Sequence, residues 1–382
     1  MFWFFVLIGI ICLDFGLEWM LNKKGVLKKS TKFSKILGLV FRYRMLSILA
    51  FVFFTTFKAI DCGNDTSWYF EYYSKLKIGE CKPFVNQFFN PLEVGFTGLI
   101  SLIVLLKLPF QVLPFIVSVF VSISLVLMIN KLSSNKFMSM VLFVALGTFA
   151  QMMTAYRQII AVAFVMLAII CLVDKKWISS TILIVIATSF HVSAIVCLVL
   201  IPLRLIKPNI WLVLVSTTFV IAISFGFPFI LKFLEQYTPI DYYTKYYIRL
   251  TEFIVPSNLL NTLYSLALIT IFVIMFVARF KLLKLEEKDK KIYDFFLWIF
   301  MFVPLFRVAG FITNMPQLLN RFNMYFFWSL LVLIPLFIKG LKYNKKFHIV
   351  LNVAVYVVAT TYMIYLYAIE NTCAVCPFWF GF

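Results

Sequence analysis

Residues 156–206 read YRQIIAVAFVMLAIICLVDKKWISSTILIVIATSFHVSAIVCLVLIPLRLI, and this stretch decides the fold class. Ile159 to Val173 is uncharged and apolar, a basic turn follows at Lys175 and Lys176, and Trp177 to Ile206 is a second apolar run with His191 near its middle. Crossing about 30 Å of hydrocarbon takes roughly 20 apolar residues of helix. The first run is close to one crossing, whereas the second is too long for one and too short for two full ones. The rest of the chain has the same character. Its 382 residues are 63% hydrophobic and 13% charged, with mean hydropathy +0.99. A soluble domain carries about 45–50% apolar residues, so this chain lacks the polar surface that water requires, and its solvent is lipid. An ordinary soluble enzyme is excluded.

Further spans are expected at Phe2–Leu21, Leu46–Ile60, Phe110–Ile129, Phe137–Ala155, Trp211–Phe227, Leu259–Ala278, Phe295–Phe311, Phe322–Ile338 and Ile349–Ile369. The first lacks a basic leader and carries Asp14 and Glu18, which reads as a retained helix and not as a cleaved signal peptide. The net charge of +19 would suggest nucleic acid in a soluble protein. In a membrane protein it follows from cationic loops retained in the cytoplasm, so no nucleic acid partner is expected. Three basic clusters stand out: Lys23 to Arg44, Arg279 to Lys291, and Lys339 to Lys346. Placing all three inside, together with Lys131, Lys136, Lys175 and Lys176, puts most of the 35 cations on one side. Under this topology 92–106 is a re-entrant or interfacial segment, and Trp177–Ile206 splits into two short segments meeting outside near His191. The expected architecture is all-α: one polytopic membrane domain over 1–382 with about 12, between roughly 11 and 14, transmembrane helices, some broken or re-entrant. External loops at 61–91 and 228–258, an external tail at 370–382 and an outward-facing cavity complete it. A second arrangement keeps 92–106 as a crossing, His191 in mid-membrane and Arg157 on the cytoplasmic side.

No phosphate loop, zinc-ligand cluster or nucleophile elbow is present, and two histidines cannot build a multi-histidine metal site, so neither metal nor cofactor is expected. Ionisable residues at membrane depth are costly, and Glu93, Arg157, Arg307 and Arg321 therefore ask for a reason. Arg157 opens a helix, and Arg321 is expected to do the same for the span beginning at Phe322. A guanidinium beside the positive end of a helix suits a multivalent anion such as a pyrophosphate. The competing reading has these arginines reaching lipid headgroups or pairing with Glu93 or Asp65. His191, between Ser189 and Ser193, either faces an external cavity as a proton donor or bonds a neighbouring helix. Tyrosines in the external loops suit a glycan or an interfacial aromatic belt. Cys62, Cys81, Cys373 and Cys376 are expected outside, as a structural bridge or as free thiols.

The order of these polar landmarks resembles the EpsG-like branch of the Wzy-type polysaccharide polymerases. The elements are Asp65-x-x-x-Tyr69, Glu93-x-Gly95-Phe96, Tyr156-Arg157-Gln158-x-x-Ala161, Phe190-His191-x-Ser193-Ala194 and Asn320-Arg321-Phe322-x-x-Tyr325-Phe326. The pattern departs in one place, where Asn64 stands between Gly63 and Asp65. The resemblance implies a multi-pass glycosyltransferase of the bacterial inner membrane whose active site faces the periplasm. It would polymerise repeat units carried on undecaprenyl pyrophosphate into O-antigen, capsule or exopolysaccharide. Asp65 or Glu93 would be the general base, with His191 protonating or supporting. Arg157, Arg321, Arg307, Gln158, Tyr69, Tyr156 and Tyr325 would bind pyrophosphate and glycan. The family also leads one to expect a chain-length regulator (co-polymerase) and a flippase as partners. The rival classes are a lipid-linked oligosaccharide flippase or other transporter, and an O-antigen ligase.

Overall fold

The computed structural model describes residues 1–28, 31–85, 93–237, 259–312, 316–375, 378 and 380. Among them are 17 α-helices and no sheet. Six helices are long and apolar enough to cross a membrane, or nine if each of three bent pairs counts as one span. That is fewer than the roughly 12 expected from the sequence; the other apolar stretches form four shorter helices, Val94–Leu105, Trp177–Phe190, Val192–Leu203 and Ile210–Gly226. The protein is a polytopic membrane protein. Its chain folds as two compact units, Met1–Ile195 with Tyr343–Phe382, and Val196–Lys342.

The first unit contains α1 (Phe2–Lys23), α2 (Lys32–Arg42), α3 (Met45–Thr56), α4 (Thr66–Lys77), α5 (Val94–Leu105), α6 (Val112–Leu132), α7 (Lys136–Ala145), α8 (Thr148–Thr154), α9 (Tyr156–Val173), α10 (Trp177–Phe190) and the late helix Lys345–Ile364. At its centre α9 packs against α10 and α6, and α6 packs against α3. Two of the bent spans lie here. Between α7 and α8 the chain turns by 56° at Gly147, whose φ of +84° is a left-handed conformation that favours glycine. Between α2 and α3 it turns by 53°.

Contacts between turns define the two ends of this unit. At one end Asn130 Nδ2 donates to the Arg42 carbonyl at 2.8 Å, and Lys131 pairs with Asp174. The basic turns around 42–44, 130–136 and 174–176 therefore gather together, as the charge pattern requires. At the other end the Asp65 N–H donates to Thr154 Oγ1 at 3.0 Å, the Gly63 N–H to the Ala374 carbonyl at 2.9 Å, and the Tyr73 hydroxyl to the Leu108 carbonyl at 2.8 Å. The 18 residues of α9 join these ends. At 1.5 Å per residue they span about 27 Å, close to the hydrocarbon thickness of a bilayer.

The second unit contains α11 (Leu200–Leu203), α12 (Ile210–Tyr237), α13 (Leu259–Lys281), α14 (Glu287–Ile312), α15 (Pro316–Phe327) and α16 (Leu330–Gly340). The most buried of the long spans, α14, is the hub against which the others pack. Its first turns are tied by charge. Arg279 grips Asp294 through two bonds of 2.6 and 2.7 Å, and Lys339 reaches Asp289 at 2.5 Å. The basic stretches at 279–291 and near 339 thus meet at one end of this unit too.

Two expectations are corrected. The span predicted to reach Ile60 stops at Thr56, because the chain leaves the helix to place Lys58 in a buried loop. Arg321 does not open a helix: α15 begins at Pro316 and places Arg321 in its interior. Proline at the first helical position is favoured because its missing N–H would have had no partner there. Among the described cysteines Cys81 and Cys373 are free thiols. Cys376 and residues 238–258 of the expected external loop lie outside the described residues.

Candidate functional site

The site forms where three chain breaks of the first unit converge. After Phe190, the last residue of α10, His191 adopts an extended conformation and a 3-10 helix begins at Val192. Tyr156 and Arg157 open α9, and Glu93 immediately precedes α5. The approach of α5 to the end of α10 depends on Gly95. A Cβ there would lie 2.6 Å from Ser189 Oγ and 3.0 Å from the Ser189 carbonyl oxygen. This explains the Glu-x-Gly spacing: the glycine admits the neighbouring backbone, and the acid two residues earlier reaches across the gap. Gly95→Ala is expected to cost about 1–3 kcal/mol, the usual penalty of overpacking against an unyielding backbone. It should also separate Glu93 from His191. Thermal unfolding of the purified variant checks the first expectation and loss of activity the second; unchanged stability would show that α5 has room to move.

Glu93 is 1% exposed, and three groups converge on its carboxylate. Arg157 NH1 donates to Oε2 at 2.5 Å, His191 Nδ1 lies 2.6 Å from Oε1, and the Val192 N–H donates to Oε1 at 3.3 Å. The pair with Arg157 holds Glu93 as the carboxylate, and a carboxylate only accepts, so His191 donates through Nδ1. The ring is thereby held in orientation by a buried acid, with Nε2 on the side away from it. Arg157 is the exposed member of the trio, its side chain 21% accessible against 8% for His191.

Aromatic rings set the position of the guanidinium. In α4 the buried residues Tyr69, Tyr72, Tyr73 and Leu76 recur at helical spacing and make one inner face. Tyr69 stacks on Tyr156 with ring centres 5.1 Å apart and meets Phe96 edge-on at the same distance. Arg157 lies 5.9 Å from the Tyr69 ring. Both tyrosines are fully buried, so they form the wall of the site and not an interfacial belt. Asp65, half-buried at the start of α4, makes no side-chain hydrogen bond among the described residues. It occupies the same helix face as Tyr69, one turn away. Gln158 is buried beside Arg157.

The remaining expected residues belong to the second unit. Arg307 Nε donates to Ser265 Oγ at 3.2 Å, and its guanidinium sits 4.4 Å from the Tyr264 ring. Arg321 is partly exposed in mid-helix, and Tyr325 is fully buried one turn on. Sequence reasoning missed Lys58, which is 6% exposed and bonded to the Cys62 carbonyl and, at 2.7 Å, to Thr66 Oγ1. The available signal was a single lysine between Phe57 and Ala59 at the edge of a span.

No solved structure and no curated protein matches this chain. The model of one family, the EpsG family, matches residues 41–378, which include every residue of the site. With the landmarks Glu93, Gly95, Arg157 and His191 assembled at one place within that span, the chain belongs to the EpsG family.

Proposed function

We propose that this protein is a glycosyltransferase that polymerises oligosaccharide repeat units carried on undecaprenyl pyrophosphate, at the periplasmic face of a bacterial inner membrane. The observation that carries the reading is the Glu93–Arg157–His191 cluster at the end of the first unit opposite its basic turns. Basic turns stay in the cytoplasm, which turns the cluster outward. There a sugar donor must bring its own activating group, and a lipid pyrophosphate is one that a guanidinium recognises.

The chemistry follows from the geometry. A hydroxyl at the non-reducing end of the acceptor attacks the anomeric carbon of the donor. The bond from that carbon to the pyrophosphate oxygen breaks, and its electron pair leaves with the pyrophosphate. Arg157 meets the charge that develops on the leaving group. His191, protonated on both ring nitrogens and held by Glu93 through Nδ1, donates the Nε2 proton to the same group and is left as the neutral imidazole. Asp65 accepts the proton of the attacking hydroxyl; it suits this role better than Glu93, whose two oxygens are already engaged. Arg307, Arg321 and Tyr325 belong to the second unit and are proposed to hold glycan or a second carrier, while Gln158, Tyr69 and Tyr156 support Arg157. The helix α5 is proposed to be re-entrant. Glu93 at its start joins the site, Ser101 Oγ in its second half accepts the Phe84 N–H at 2.9 Å, and Leu108 just beyond it accepts from Tyr73.

The test is incubation of purified protein with a defined lipid-linked repeat unit, followed by separation of the products. A ladder of glycan lengths is expected. Asp65→Asn should lower the rate of extension by about 10²–10⁴, the usual contribution of a general base, with thermal stability unchanged. A wild-type ladder from that variant would remove Asp65 as the base. Movement of the lipid-linked unit across vesicles without extension would instead identify a flippase, and transfer of preformed polymer to lipid A a ligase.

A further inference from the structure

Next to the site a cavity of about 110 Å³ has a polar side formed by Thr55, Thr56, Lys58 and Thr66, and its other walls are Tyr156, Phe110, Pro114 and the more exposed Ile60 and Gln111. Its contents are unusual for a membrane protein interior. Lys58 is 6% exposed, and among the described residues it forms no ion pair. Burial pulls its ammonium down to about 8 against the opposing influence of Cys62 and Asp61, which leaves it charged at neutral pH. Two of its three donors are used by the Cys62 carbonyl and Thr66 Oγ1. The hydroxyls of Thr55 and Thr56, on residues 0% and 7% exposed, have no hydrogen-bond partner among the described residues. Buried hydroxyls of this kind are costly unless something bonds them. Three helices, α4, α6 and α9, also begin at this cavity, with Thr66, Gln111 and Tyr156 at their first turns. Helix starts favour an anion; the end of α3 opposes this, but it is the end that leads into Lys58.

We propose that this cavity is a second anion subsite that binds a phosphate or diphosphate group. The donor set selects among anions. One remaining ammonium proton and the two threonine hydroxyls at the end of α3 line the same cavity, a number of donors that suits a tetrahedral oxyanion better than a carboxylate with two oxygens. Lysine is well suited to phosphate as a point charge. The subsite is linked to the first by aromatic rings: Lys58 Nζ lies 5.9 Å from the Tyr156 ring, Tyr156 stacks on Tyr69, and Arg157 packs over Tyr69. Under the proposed function, on which its physiological meaning rests, the subsite takes a phosphate-bearing headgroup while Arg157 attends the reacting bond.

Binding to the full-length protein in phosphate-free detergent solution tests this, with inorganic diphosphate as one probe. The other probe is vesicles of phosphatidylcholine doped with undecaprenyl phosphate, compared with undoped vesicles and presented to protein transferred from detergent into nanodiscs. Diphosphate is expected to bind saturably. The paired substitution Thr55→Val and Thr56→Val, which keeps Lys58 and its loop, should weaken binding at least tenfold, because each hydroxyl donates to a charged acceptor. Lys58→Met should abolish it. Binding should persist in a Glu93→Gln, Arg157→Gln double variant, which removes the neighbouring charges as a pair. Capture of the doped vesicles as well would identify the occupant as a carrier-lipid headgroup, and capture of diphosphate alone as a free anion. A folded valine pair that binds diphosphate as tightly as the wild type overturns the subsite, as does absence of binding to either probe. The two readings fail separately. Protein that binds at the cavity without making a ladder loses the polymerase and keeps the subsite, whereas a ladder with binding indifferent to Thr55 and Thr56 does the reverse.

Discussion

Glu93→Gln is expected to destabilise the protein by about 3–5 kcal/mol and to abolish glycan extension, because it breaks a buried ion pair from one side only. The Glu93 side chain is 1% exposed, so solvent does not replace the lost carboxylate, and the Arg157 side chain, 21% exposed, is only partly screened. The amide cannot serve the three donors that converge on the carboxylate, and His191 loses the acceptor that fixes its proton on Nδ1. Thermal unfolding in detergent measures the first effect. Adding Arg157→Gln should recover a large part of the lost stability, since it removes the orphaned cation, while activity stays absent. This non-additivity is the signature of a pair in contact. Equal and independent losses from the two single variants would show that the pair is not formed in the folded protein.

Arg157→Lys separates charge from geometry. The ammonium retains the ion pair with Glu93, so stability should change by no more than about 1 kcal/mol. The planar fork is lost, and with it the ability to bond Glu93 and a pyrophosphate oxygen in fixed directions. A loss of about 10²–10³ in the rate of extension is expected, comparable to removing one preorganised donor to a developing charge. Most of it should fall on turnover rather than on the concentration of lipid-linked substrate required. Chain extension at the wild-type rate would remove Arg157 from the reacting centre and leave it a structural cation.

The membrane character of the chain was legible residue by residue. Long apolar windows, the basic turns and the break at His191 each lie within a single segment, and the structure shows α10 ending at Phe190 and the basic turns brought together. The exact ends of helices were less legible. Arg321 looked like a helix opener because the apolar run begins at Phe322, yet α15 extends back to Pro316 through polar residues that hydropathy does not register. The tyrosines of α4 looked like surface residues of a loop. Their spacing at 69, 72 and 73 was a helical signal, outweighed by the polar residues between them.

The partner of Arg157 was left open between a ligand anion and an internal acid, and no local pattern could decide it. Glu93 lies 64 residues from Arg157 and 98 from His191 along the chain, and only the packing of α5, α9 and α10 brings them within bonding distance. The Lys58 cavity is equally a product of packing, since its walls come from the end of α3 and the starts of α4, α6 and α9. By itself, then, the sequence determined the solvent, the helical class and the grouping of the basic turns, because lipid acts on each segment separately through its own hydropathy and flanking charge. The tertiary structure alone decided which buried charges neutralise one another and which stand next to an empty space, because electrostatic energy at membrane depth depends on distances of a few ångströms between segments remote in the chain.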